Sequence, residues 1–171
     1  MFIKANLLEP LNKSLITNAN MQIMRIELHL NIIDVPLKID LSASTKLQSL
    51  FVETYNVGEL VSFTFGVLPM LEVFHCYFCT VLDLNICRSP YLKTLWLYES
   101  NMPQLNDCIA NLQNLESLIV KNDWRNDCGE RCQKRVPELP PSLKFLILDS
   151  QNITEIANET FLSGTVFFLG A

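Results

Sequence analysis

Glycine is scarce, with five residues in 171 and no cluster among them, so the chain has no Gly-rich loop whose backbone amides could cradle phosphates. Histidine is scarcer still, His29 and His75 being the only two. No Gly-x-Ser-x-Gly turn exposes a nucleophile, and no Ser or Cys is paired in the pattern with an activating base. Cations are outnumbered, 13 Lys and Arg against 18 Asp and Glu for a formal charge of −5. They are scattered rather than striped, which argues against a nucleic-acid or anionic-membrane footprint. No apolar run reaches the roughly 18 residues of a membrane-crossing helix; the longest candidate, Leu60 to Phe74, is broken by Glu, Ser, Thr, Gly and Pro. At the N-terminus Lys4 is followed by Asn6, Glu9 and Pro10 before an export-signal core can build. These absences lead to the expectation of a non-enzymatic, soluble protein of the cytoplasm or nucleus, with no metal, no cofactor and no nucleic-acid or membrane partner.

What the chain does have is apolar residues, 49% of the total against 18% charged, enough to fill one core. They recur with a period. The pattern apolar-x-x-apolar-x-apolar occurs at Ile23/Ile26/Leu28, Leu47/Leu50/Val52, Leu71/Phe74/Cys76, Leu92/Leu95/Leu97, Leu115/Leu118/Val120 and Leu143/Leu146/Leu148, its first places 24, 24, 21, 23 and 28 residues apart. Repeats of this length are single supersecondary units that bury their apolar face only by stacking.

Counting from each leading residue, the ninth place is Asn31 in the first unit and Cys79 in the third, and the eleventh is Ile33, Val57, Val81, Met102 or Ile153 in five of the six. Pro69, Pro90 and Pro141 stand two residues before a leading Leu. On these places the chain resembles the leucine-rich-repeat superfamily, whose consensus is L-x-x-L-x-L-x-x-N/C-x-L. The resemblance covers residues 21–162, with departures at Tyr55, Ser100, Asp123 and Gln151 in the ninth place and Arg125 in the eleventh. It implies an α/β solenoid with a curved parallel sheet on the concave face and irregular or short helical segments on the convex side. Residues 1–20 are expected to be a partial repeat or cap, and 163–171 a truncated seventh unit. The irregular style is similar to F-box-type and fungal intracellular leucine-rich-repeat proteins, although residues 1–20 are not expected to form an F-box-like helical segment.

Along a strand side chains alternate between faces, so the third, fifth and seventh places are expected to point away from the leucines. The third-place row is Arg25, Ser49, Val73, Thr94, Ser117, Phe145; the fifth is Glu27, Phe51, His75, Trp96, Ile119, Ile147; the seventh is His29, Glu53, Tyr77, Tyr98, Lys121, Asp149. Phe51, His75, Tyr77, Trp96 and Tyr98 would form an aromatic patch, extended by Ile119 and Lys121. Aromatic residues carry much of the energy of protein interfaces. The charged spacer from Asp123 to Pro141 is the longest, and its Trp124 completes the candidate protein-binding set. The expected function is to hold a protein ligand on the concave face. Two alternatives are a relict repeat copy whose rings merely pack on one another, and the substrate-recognition part of a ubiquitin-ligase adaptor.

Six cysteines, at 76, 79, 87, 108, 128 and 132, invite a metal or redox reading through Cys76-x-x-Cys79 and Cys128-x-x-x-Cys132. The repeat accounts for five of them. Cys76 takes a leucine place, Cys79 the ninth place, Cys87 and Cys108 the seventeenth, and Cys128 the fourteenth beside Leu105 and Ile156. Reduced thiols follow from the absence of an export signal. Three Asn-x-Ser/Thr triplets, at Asn12, Asn152 and Asn158, pull toward secretion.

Overall fold

A computed structural model describes residues 2–7, 24–30, 37–54, 61–78, 80–81, 85–98, 105, 107–121, 135–149, 153–156 and 166–169. In chain order its strands are β1 (Phe2–Leu7), β2 (Arg25–Leu30), β3 (Leu37–Asp40), β4 (Ser49–Thr54), β5 (Val61–Thr64), β6 (Val73–Tyr77), β7 (Thr80–Val81), β8 (Thr94–Tyr98), β9 (Ser117–Lys121), β10 (Arg135–Val136), β11 (Phe145–Asp149), β12 (Glu155–Ile156) and β13 (Val166–Leu169). Eight of these, in the order β1-β2-β4-β6-β8-β9-β11-β13, form one parallel sheet. Parallel neighbours need a crossover between them, and here each crossover is the return path of one coil. The molecule is thus a parallel-strand repeat solenoid.

The register follows the periodic pattern. Arg25, Ser49, Val73, Thr94, Ser117 and Phe145 are aligned partners across six strands, which is the third-place row. Two further strands join in the same register, Phe2 opposite Arg25 and Val166 opposite Phe145. A one-residue slip would exchange the two faces of a strand. The fourth and sixth places hold the register because they are the core: Leu50, Phe74, Leu95, Leu118 and Leu146 are at most 1% exposed, as are Val52, Cys76, Leu97 and Leu148. Each fully buried Leu contributes about 1.5–3 kcal/mol.

The five coils led by Leu47, Leu71, Leu92, Leu115 and Leu143 enter their strands through the same two devices. The leading Leu donates its N–H to the carbonyl three residues earlier, Leu71 to Leu68, Leu92 to Ser89, Leu115 to Leu112, Leu143 to Pro140 and Leu47 to Ser44, at 2.9–3.1 Å. Pro69, Pro90 and Pro141 therefore sit at the second position of a β-turn, where a fixed φ near −65° is favoured. The second- and third-place N–H groups then both donate to the second-place carbonyl of the preceding coil: Gln48 and Ser49 to Met24, Glu72 and Val73 to Gln48, Lys93 and Thr94 to Glu72, Glu116 and Ser117 to Lys93.

The return wall is less regular. β3, β5 and β7 form a three-stranded parallel ladder, β10 and β12 a two-stranded one. Between them lie two 3-10 turns, Asn85–Arg88 and Asp107–Asn111. Among the described residues there is no α-helix, and these turns are the only helical structure. The fourteenth-place alignment fails in the long unit: Ile156 pairs with Val136 rather than with Cys128, because the extra residues of that unit enter ahead of β10. Cys128 itself lies outside the described residues.

Reduced thiols are not what the structure contains. Cys87 and Cys108, at the same place of two consecutive coils, are joined by a disulfide with Cα atoms 5.8 Å apart. Stacking the coils superposes them. Cys76 is also disulfide-bonded, and no cysteine among the described residues is a free thiol.

Candidate functional site

The face of the sheet opposite the leucines carries the third-, fifth- and seventh-place rows, and its side chains stack in register from coil to coil. The Arg25 guanidinium lies 4.8 Å from the centroid of the Phe51 ring. Phe51 meets His75 edge to face at 4.7 Å, and His75 lies flat on Trp96, 4.2 Å between centroids and 5° between planes. Trp96 then donates its Nε1–H to Ser117 Oγ at 2.8 Å. In the next row Tyr77 and Tyr98 stack at 4.7 Å and 3°, with Trp96 turned edge-on to Tyr98 at 6.4 Å. Five aromatic side chains from three adjacent strands therefore form one packed column, joined to a cation at one end.

None of the five rings is fully buried, and none is open on all sides. The rings are each half-buried against their neighbours. His75 bears the strongest consequence. Desolvation lowers its pKa from 6.5 to about 4, and its Nε2 is buried with no hydrogen-bond partner among the described residues. The ring is neutral at pH 7. Burial raises the Tyr98 pKa, with Tyr77 adding to the shift and Lys121 opposing it, so the Tyr98 phenol stays a protonated donor at neutral pH.

Charged groups flank the column on both sides. His29 Nε2 lies 3.0 Å from Glu27 Oε1 and its Nδ1 3.0 Å from Glu53 Oε2, tying β2 to β4. On the far side Lys121 Nζ meets Asp149 Oδ2 at 2.8 Å. Lys121, expected as a contact residue, is thus ion-paired along its own row. Ile119 is 3% exposed, which withdraws it from the accessible set although its place in the fifth row is as expected. Trp124, the remaining candidate, lies outside the described residues, as does the charged part of its spacer up to position 134.

One residue had no signal in the repeat. Thr54, fully buried in the eighth place, donates its hydroxyl to the Phe78 carbonyl at 2.7 Å. Phe78 has a φ of 57°, the left-handed region that L-residues adopt at a cost of roughly 1–2 kcal/mol, and its N–H donates to the Tyr98 carbonyl. The bend that ends β6 is therefore held from both neighbouring coils, directly beside Tyr77. A Thr in the eighth place is no commoner signal than any other polar residue, so sequence alone does not reveal it.

No group of three or more His, Cys, Asp or Glu side chains among the described residues is arranged to hold a metal ion. No helix among them is long and apolar enough to cross a membrane. Comparison with protein-family models, with curated proteins and with solved structures finds no match.

Proposed function

We propose that the chain is a leucine-rich-repeat array that binds a protein ligand through the aromatic column on its strand face. The continuous stack Phe51–His75–Trp96 beside Tyr77–Tyr98 is the observation that carries this reading. Prestacked rings lose few rotors on binding, and such residues supply most of the energy of protein interfaces. The period, the turn before each leading Leu and the repeated two-donor link between coils support membership of that repeat class. Aromatic rings, Tyr hydroxyls and the flanking charged groups give the face a mixed apolar and polar character suited to a protein surface.

The test uses partners captured from native extract by the unaltered chain, with affinity then measured for Trp96→Ala/Tyr98→Ala. Loss of two central aromatics is expected to weaken binding by about 30-fold or more, with an unchanged circular dichroism spectrum. Retention of full affinity by that variant would falsify the assignment of this face.

A second reading draws on the same geometry: rings that cover one another serve as packing, and the chain is a repeat copy with no specific ligand. It requires that Trp96→Ala lower stability while no captured protein depends on Trp96 or Tyr98.

A further inference from the structure

We infer that this chain matures in an oxidising compartment, where Cys87–Cys108 is a structural bridge between two consecutive coils. The inference is independent of any ligand on the strand face. Its first support is position. The return wall is hydrogen-bonded through β3, β5 and β7 and again through β10 and β12. Between these ladders the described return path consists of the two 3-10 turns Asn85–Arg88 and Asp107–Asn111, and the disulfide joins those turns. A covalent link thus stands where the described wall has no strand pairing. The Cα separation of 5.8 Å lies in the range of about 4.4–6.8 Å that a bridge spans without moving backbone.

The second support is what the pair is unlike. The cysteines of dithiol redox catalysts sit close in sequence, as in the Cys-x-x-Cys motif. Cys87 and Cys108 are 21 residues apart on two coils and are both half-buried. No metal-capable cluster occurs among the described residues to claim the thiolates. Cys76, at 0% exposure, is in a separate disulfide. Two disulfides in one domain are characteristic of secreted and lumenal proteins, because cytosolic thiols are kept reduced. The triplets at Asn12, Asn152 and Asn158 fit the same compartment.

Bridge formation is a thiol–disulfide exchange. The Cys87 and Cys108 thiols give up two protons and two electrons and form one S–S bond. The acceptor is the disulfide of a dithiol oxidoreductase, whose S–S bond breaks as it leaves in the dithiol form.

The test begins with the unmutated protein in its own cells, alkylated with N-ethylmaleimide at lysis and mapped by mass spectrometry without reduction. A Cys87 peptide linked to a Cys108 peptide, neither alkylated, is expected. Alkylation of both residues, or linkage of Cys87 to any other cysteine, overturns the inference. On purified material, Cys87→Ser, Cys108→Ser and the double variant are expected to lower Tm equally, by about 5–15 °C, and reductant is expected to abolish the difference. Additive losses in the double variant, or a Tm of the unmutated chain that ignores reductant, would also overturn it. The peptide map decides if a variant does not fold.

Discussion

At the scale of single residues, His75 shows how a row place acquires chemistry from its neighbours. Phe51 and Trp96 remove water from both sides of its ring, which favours the neutral form and brings the folded pKa to about 4 against 6.5. The folded state therefore binds its proton more weakly than the unfolded state. Stability linked to His75 is complete above pH 6.5 and is lost as pH falls toward 4. In His75→Phe, the fall in Tm between pH 6.5 and 4.5 is expected to be shallower than in the unmutated chain. Equal slopes in thermal melts across that window would show that the ring is hydrated. Carboxyl groups of an unfolded chain take up protons near the lower end of that window, so the difference between the two proteins is the quantity to read. The sequence placed His75 in its row correctly, but a one-dimensional row cannot say whether neighbouring rings stand apart or stack. Ile119 makes the same point, its place in the row foreseen and its burial not.

At the scale of the element, the coils are set by turns and close approaches that differ in how openly the sequence announces them. Pro69, Pro90 and Pro141 were visible as a period, and the structure gives their reason as the second position of a turn closed by the leading Leu. Gly66 was not visible, because its role depends on the coil next door. A Cβ there would stand 2.7 Å from the Ser42 carbonyl oxygen and 2.8 Å from Ser42 Cα. Both atoms are backbone, and that segment is itself fixed by the Ser42 N–H bonded to Asp40 Oδ1. No rotamer change can relieve the overlap. Gly66→Ala is expected to lower the free energy of unfolding by about 1–3 kcal/mol in urea titration; an unchanged midpoint would mean that the coils can part at this point. The Cys87–Cys108 pair belongs to the same category, since two equivalent places 21 residues apart bond only once the coils are stacked.

For the whole molecule, the pattern of leucines was enough to give the order and register of six strands, because burial of the fourth and sixth places leaves no other register open. The return wall was not legible. Its units differ in length, so Val136 rather than Cys128 meets Ile156, and only the three-dimensional path shows where the extra residues enter. In a stack where each coil touches only its neighbours, stability is a sum of local and interfacial parts. β1 and β13 have one strand neighbour each in the eight-stranded sheet, whereas β6, β8 and β9 have two. Hydrogen exchange is therefore expected to be fastest in Phe2–Leu7 and Val166–Leu169 and slowest in the central strands. Uniform protection across the sheet would instead indicate a single cooperative block.

The second-place row has a consequence of its own. It runs Gln48, Glu72, Lys93, Glu116, Lys144, with Lys93 Nζ 2.8 Å from Glu72 and Lys144 Nζ 3.0 Å from Glu116. Each exposed pair contributes little by itself, but the signs alternate from coil to coil. Copying any one of the four coils that carry Glu72, Lys93, Glu116 and Lys144 would set two like charges side by side, which is destabilising. Copying two together would preserve the alternation. Within these four coils, duplication avoids a like-charge contact at this edge only when an even number of coils is copied together.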